Sequence, residues 1–234
     1  MARHSKWHKV RQFKGAIDAK RAASFTKLAR EITVATKEKG PDPVMNARLR
    51  AAINRAREAS MPKDNIERAI KRGAGGTGEA ELETLTYEAY APGGTALIIE
   101  CLTESRNRAT NDVKHMVTKA GGSLANTGSV TYLFDHVGVV RAPLGSYDEL
   151  NLIDAGASDI LIDQDRLEVR CAMNDLAKVA DAVAKQGLNP DTIEFQWIPK
   201  TLVETNEEDG TVVAELIDEL EAHDDVSRVF SNLA

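Results

Sequence analysis

The sequence predicts an α+β protein led by a basic bundle of three helices, and three observations carry that prediction. Apolar residues recur at steps of three and four as far as Gly73, whereas beyond Gly78 short β-rich runs alternate with helical ones. Charge divides at the same place: residues 1–73 hold 19 Lys and Arg against 7 Asp and Glu, a balance of +12, while residues 74–234 hold 11 against 29, or −18. A segment that basic, attached to an acidic remainder, points to a polyanionic partner at one end of the molecule, nucleic acid first among them.

The first helix is expected over 18–39, with Ala22, Phe25, Leu28, Ala29, Ile32 and Ala35 on one face. At about 100° per residue, Lys20, Lys27, Arg30 and Lys37 then form a basic stripe on the other. Gly40-Pro41-Asp42-Pro43 ends it, and Asp42 followed by Pro43 suits the cap and first position of a second helix, with Leu49, Ala52, Ile53 and Ala56 inward and Arg48, Arg50, Arg55 and Arg57 flanking. A third helix opens near Ser60-Met61-Pro62, buries Ile66, Ala69 and Ile70, and stops at Gly73 as its terminal left-handed residue. The run Gly73-Ala74-Gly75-Gly76-Thr77-Gly78 matches Gly-x-Gly-x-x-Gly, but it follows a helix and leads into Glu79, where a phosphate loop would need Lys, so it reads as a linker.

Beyond the linker, Leu82 to Tyr90 and Thr95 to Thr103 read as a hairpin about Pro92-Gly93-Gly94. A helix follows over 106–120, then strands at Ser129 to Phe134 and Val137 to Ala142, a helix at Tyr147 to Ala155 and a strand at Arg166 to Cys171. Asn174 to Gln186 is helical and Thr192 to Ile198 extended; Leu202 to Thr205 is extended, Val212 to Ala222 helical and Val226 to Phe230 extended. The pattern is antiparallel in flavour, with helices on one face of the sheets.

Catalytic and metal chemistry find little support. Cys101 and Cys171 stand in apolar runs outside any Cys-x-x-Cys and read as buried core thiols. His4 and His8 lack a carboxylate partner, there is no Gly-x-Ser-x-Gly, and His115, His136 and His223 have no Ser or Cys arranged with them. The acidic pairs Glu207-Glu208 and Asp224-Asp225 read as solvated charge. The expectation is therefore no enzyme, no cofactor, no metal and no small-molecule substrate. The longest clean apolar run, Ala96 to Ile99, is far short of a membrane span, and the start of the chain lacks the apolar stretch of a signal peptide, so a cytoplasmic protein with no membrane partner is expected.

The residues expected to contact nucleic acid follow from the charge pattern. In the tail, Trp7 and Phe13 interleave with His4, Lys6, His8, Lys9, Arg11 and Lys14, cations for phosphate and rings for bases. Lys20, Lys27, Arg30, Lys37, Arg48, Arg50, Arg55, Lys63 and Arg68 line the bundle, and Arg106 and Arg108 make a second patch at the start of the 106–120 helix.

His4-Ser5-Lys6-Trp7, Asp18-Ala19-Lys20-Arg21, Phe25-Thr26-Lys27-Leu28, Arg30-Glu31-Ile32-Thr33-Val34-Ala35, Arg48-Leu49-Arg50, the run Met61 to Ile70, and Gly128-Ser129-Val130 closely resemble the YebC/PmpR family over essentially the whole chain. The resemblance implies three domains: a basic helical domain with its linker over 1–78, a ferredoxin-like α+β domain over 79–126 and 201–234, and an α/β domain over 127–200 that interrupts it. Members are described as DNA-binding transcriptional regulators; mitochondrial relatives are translational activators, and bacterial ones are linked to ribosomes stalled on proline-rich stretches. Two functions are thereby implied, a ribosome or rRNA binder and a DNA-binding regulator. With neither heptads nor a helix-turn-helix signature, the former is favoured, as a monomer. Arg3, Ala47, Ala89 and Ala91 depart from the family pattern, the last two replacing glycines beside Pro92-Gly93-Gly94.

Overall fold

The computed structural model describes residues 25–75 and 82–234. Helix α1 runs over 25–39 of the described residues, followed by α2 (Ala47–Glu58) and α3 (Lys63–Gly73). Their shared core is Ile32, Ala35, Leu49, Ala52, Ile53, Ala56, Met61, Ile66 and Ala69, with Phe25, Leu28 and Ala29 packed against it. The described residues of the apolar stripes read from the sequence are therefore the ones that form this core or, like Ile70, pack half-buried against it.

Two details of the bundle differ from the reading above. Asn46, not Asp42, caps α2: its Oδ1 accepts from Leu49 N at 3.0 Å, while its Nδ2 donates to Ala35 O at 2.7 Å and Gly40 O at 2.9 Å. Asp42 instead closes the preceding turn, accepting from Val44 N at 2.9 Å. Gly73 is the last residue of α3 itself, and the left-handed residue is Gly75 at φ +81°. Gly73 is small for another reason: a Cβ there would stand 2.4 Å from Thr33 O and 2.6 Å from Thr36 Cβ, so glycine lets α3 cross α1 at close range.

The remainder forms two four-stranded antiparallel sheets. Strands β1 (Glu83–Tyr90), β2 (Ala96–Thr103), β3 (Ser123–Ala125) and β8 (Val226–Ser231) make the first, in the order β3-β1-β2-β8. Helices α4 (Arg106–Lys119) and α7 (Glu207–Ala222) cover one face of it. Strand β2 is buried on both sides: Leu97, Ile99 and Cys101 point to the helices, and Ala96 and Ile98 to Val130 and Phe134 on the opposite face. The β1–β2 turn is intact without the two glycines, because Gly93 and Gly94 take φ of +69° and +76°, while Ala89 and Ala91 are buried.

The second sheet is inserted between β3 and α7. It contains β4 (Phe134–Pro143), β5 (Ala157–Asp163), β6 (Arg166–Cys171) and β7 (Thr192–Pro199) in the order β5-β6-β4-β7, with α5 (Glu149–Asp154) and α6 (Leu176–Lys185) against it. A three-helix region followed by an α+β unit carrying an inserted second α/β unit is the predicted fold class. The strand expected over Ser129 to Phe134 is instead a 3-10 turn at Thr131–Leu133 leading into β4. Its backbone is claimed by a distant side chain: the buried Glu88 carboxylate accepts from Gly128 N at 2.7 Å, Val130 N at 2.6 Å and Thr131 N at 3.0 Å. Burial alone would raise that carboxyl's pKa, but the three amides outweigh it and hold it below the usual carboxylate value. Tyr90 adds a hydrogen bond from its hydroxyl to Ser129 O at 2.7 Å, so β1 fixes the start of the crossing into the second sheet.

Candidate nucleic-acid interface and the three-way junction

The helical bundle sits where the two sheets meet, and its cations divide into two sets. One set is turned inward. Lys27 donates to Glu221 O at the C-terminal end of α7, and Arg30 to Asp224 O just beyond it, so two cations of α1 meet carbonyls at the negative end of a helix. Arg30 also pairs with Asp225 at 3.1 Å. Burial, set against Glu221 and Asp224, lowers the Lys27 pKa.

Asp225 is 2% exposed and is a correction to the reading of Asp224-Asp225 as solvated charge. Besides Arg30 it accepts from Arg108 at 2.8 Å and Thr103 Oγ1 at 3.1 Å. Desolvation opposes its ionised form, but Arg108 and Arg30 more than compensate, and its pKa falls below the usual range.

From α2, Arg55 reaches Glu31 within the bundle and Glu194 on β7 at 3.5 Å. Glu194 is the centre of the junction: Arg228 approaches it at 2.9 Å and Arg141 at 3.9 Å, and Gln196 donates to it at 2.6 Å. Burial pushes its pKa up and Arg228 leads the groups that pull it down, with a net lowering. Arg228 further bonds Glu100 at 3.3 Å and Phe195 O at 2.9 Å, tying β8 to β7. Arg48 lies over the Phe195 ring at 5.7 Å and pairs with Glu38 at 2.6 Å, and Arg72 pairs with Glu104 at 2.6 Å.

Beside this network lies a cavity of about 370 Å³, bounded by α1, α2, β1, β2, β4, β7 and β8. Its aromatic wall is Trp197, whose Nε1 donates to Glu100 at 3.1 Å, and His136, stacked on the indole at 4.0 Å and 6°. Burial leads the lowering of the His136 pKa.

The other set of cations faces solvent. Lys37, Lys63 and Arg68 are exposed, Lys63 to 86% of its side chain. Arg50 donates to Pro43 O at 3.0 Å and Val44 O at 3.2 Å, bracing the α1–α2 loop. Arg106 pairs with Glu83 at 3.2 Å, and Arg108 keeps 56% of its side chain exposed while holding Asp225. The predicted stripe is thus split: Lys37 is outward, whereas Lys27 and Arg30 are turned onto the α7–β8 corner. His4, Lys6, Trp7, His8, Lys9, Arg11, Lys14 and Lys20 lie outside the described residues, as do Phe13, Ala22 and residues 76–81 of the glycine-rich stretch.

Sequence reasoning missed Glu100, Glu194, Arg228 and the His136–Trp197 pair. One signal was available: Glu100 is a lone acid inside the most apolar strand of the chain, a position that demands a buried partner. Among the described residues no group of His, Cys, Asp and Glu could hold a metal, and no helix is long and apolar enough to cross a membrane.

A basic helical module seated between two antiparallel sheets, one inserted in the other, defines the class: a modular α+β protein with its excess of cations in the helical module. Comparison with known proteins makes it specific. Residues 5–76 match the TACO1/YebC protein N-terminal domain and residues 82–233 the TACO1/YebC second and third domain. A "probable transcriptional regulatory protein" of Persephonella marina is 46% identical over 238 residues, covering 99% of this chain and 95% of that protein. One of the same description from Leptospira biflexa is 46% identical over 237 residues, with 99% and 96% covered. The crystal structure of a conserved hypothetical protein from Aquifex aeolicus superposes with a TM-score of 0.81 at 38% identity, covering 93% of this chain and 92% of that one. The chain belongs to the TACO1/YebC family.

Proposed function

We propose that the protein is a non-enzymatic, cytoplasmic regulator of gene expression that binds nucleic acid through its basic helical module, with ribosomal RNA as the target and a role in assisting stalled, proline-rich synthesis. The observation that carries this reading is the charge division, +12 over residues 1–73 against −18 beyond, together with the exposure of Lys37, Lys63 and Arg68. Cations of that density neutralise phosphates and release counterions, so affinity falls steeply with salt. The acidic sheets repel nucleic acid and limit contact to one end. The tail, with Trp7 and Phe13 among its cations, suits unstacked RNA bases better than a duplex groove.

A second reading, a DNA-binding transcriptional regulator, is favoured by the names of the relatives. Co-sedimentation with ribosomes across a salt gradient, run beside binding to random duplex DNA and a promoter fragment, separates the two. Saturable ribosome binding that persists at salt sufficient to strip the protein from DNA is the expected result. Salt-labile binding to both, with preference for one promoter fragment, would overturn it in favour of the second reading. In either case, Lys63→Ala with Arg68→Ala reduces the logarithmic salt slope by about 1.4 to 1.8 if both contact phosphate.

A further inference from the structure

We propose that the junction is an intramolecular phosphate mimic, in which oxygens of the acidic domains occupy Lys27, Arg30 and Arg55, so that nucleic acid must displace the helical module from the cleft to reach those cations. This rests on the nucleic-acid reading above and adds to it a closed, self-inhibited form.

Each of these three cations of the basic module is set against an oxygen of the acidic part. Lys27 takes Glu221 O, Arg30 takes Asp224 O and the Asp225 carboxylate, and Arg55 takes the Glu194 carboxylate. Asp225 and Glu194 present carboxylates and Glu221 and Asp224 neutral carbonyls; a nucleic-acid backbone offers anionic oxygens at short spacing and therefore competes for the same donors.

The seam is also built to part. The module's share of the second sheet's apolar core is two small side chains, Ala47 and Ala51. A cavity of about 370 Å³ remains beside the ion pairs in place of packed side chains. Arg48 Nε, Arg55 Nε and His136 Nε2 are buried there without hydrogen-bond partners, a penalty that opening removes. Interfaces of this polar kind within a chain behave as transient ones. Among the described residues the bundle's own core draws only on α1, α2, α3 and the α2–α3 link at Met61, so the module can leave without dismantling itself.

The test uses the full chain with donor and acceptor dyes on Asn54→Cys in α2 and Asp181→Cys in α6, both exposed on helices that meet across the seam. The native thiols Cys101 and Cys171 are fully buried and stay unlabelled. Titration with a single-stranded polyuridine RNA at low salt is expected to lower energy transfer as binding saturates. In a parallel measurement, Glu194→Gln is expected to tighten RNA binding by about fivefold or more. Glu207→Gln, which makes the same charge change at an exposed site, is expected to leave the affinity within about twofold. Unchanged transfer at saturating RNA overturns the proposal, as does a Glu194→Gln gain no larger than that of Glu207→Gln. If the parent chain binds no RNA and no DNA at low salt, the nucleic-acid reading itself fails, an outcome distinct from binding without opening.

Discussion

Replacing Glu88 by Gln tests how the two sheets are joined. The carboxylate accepts Gly128 N on Oε1, and Val130 N and Thr131 N on Oε2. Glutamine supplies one oxygen. With that oxygen placed toward Val130 and Thr131, its amide NH2 confronts Gly128 N–H donor to donor, and the two surviving bonds lose their ionic character. One charge-assisted bond lost, at about 1.5–3 kcal/mol, plus weakening of two others by some tenths to 1 kcal/mol together, gives a loss of about 2–4 kcal/mol. Amide hydrogen exchange at Gly128, Val130 and Thr131 reads this directly, and protection is expected to fall by about 30- to 1000-fold at neutral pH. The pH dependence supplies the sign. The folded pKa of Glu88 lies below its ordinary value of 4.5, so its contribution is fully present above about 4.5 and is lost as pH falls through the folded value. The gap between parent and variant must therefore narrow in acid. Protection that changes less than about threefold at neutral pH, or a gap equally wide at pH 7 and below the folded pKa, would refute the assignment of Glu88 as the anionic clamp on the crossing.

Two further predictions concern stability and reactivity. Asn46→Ala removes the α2 cap and the donor to two carbonyls at a fully buried site, and is expected to cost about 2–3 kcal/mol in equilibrium urea unfolding followed by the helical signal; a loss under about 0.5 kcal/mol would show that the loop repairs itself. Burial pushes the Cys101 thiol up to about 12 and the Cys171 thiol up to about 11, so at pH 8 about one in ten thousand and one in a thousand are thiolate, and Ellman's reagent should titrate neither until the chain is unfolded. Two thiols reacting within minutes in the folded protein would contradict their placement in the two sheet cores.

The helices of the basic module were legible because their apolar faces repeat at a single period and close one core. Strand β3 escaped because three residues carry no period. Strand β5 escaped because it is an edge strand, bounded by Asp163 and leaving Ile162 exposed, so neither alternation nor burial marks it. The sequence suggests a start for α7 at Val212 because Glu207, Glu208, Asp209 and Gly210 look like loop. Three acids in a first turn are in fact favourable there, and Asn206 caps them by accepting from Asp209 N at 2.8 Å. The segment 129–134 failed for a different reason: its conformation is set by Glu88, about 40 residues earlier in the chain. The candidate site was half legible on the same ground. A cation's identity is local, but whether it meets water or Asp225 depends on a residue nearly 200 positions away.

That dependence bears on how charge should be read in this molecule. A balance of +12 beside −18 both attracts polyanions and favours the module's docking onto its own acidic sheets, and the two uses draw on one set of side chains. Screening decides between them by distance. At physiological salt the Debye length is about 8 Å, so exposed Lys63 and Arg68 act on an approaching phosphate chain chiefly at close range, while the contacts of Arg30 and Arg55 are short, partly buried and much less screened. Added salt therefore weakens first encounter more than it loosens the junction. The number of phosphates neutralised sets the logarithmic salt slope, so a slope that steepens once Glu194 is neutralised reports that a cation it held, Arg55 or Arg228, now meets the nucleic acid.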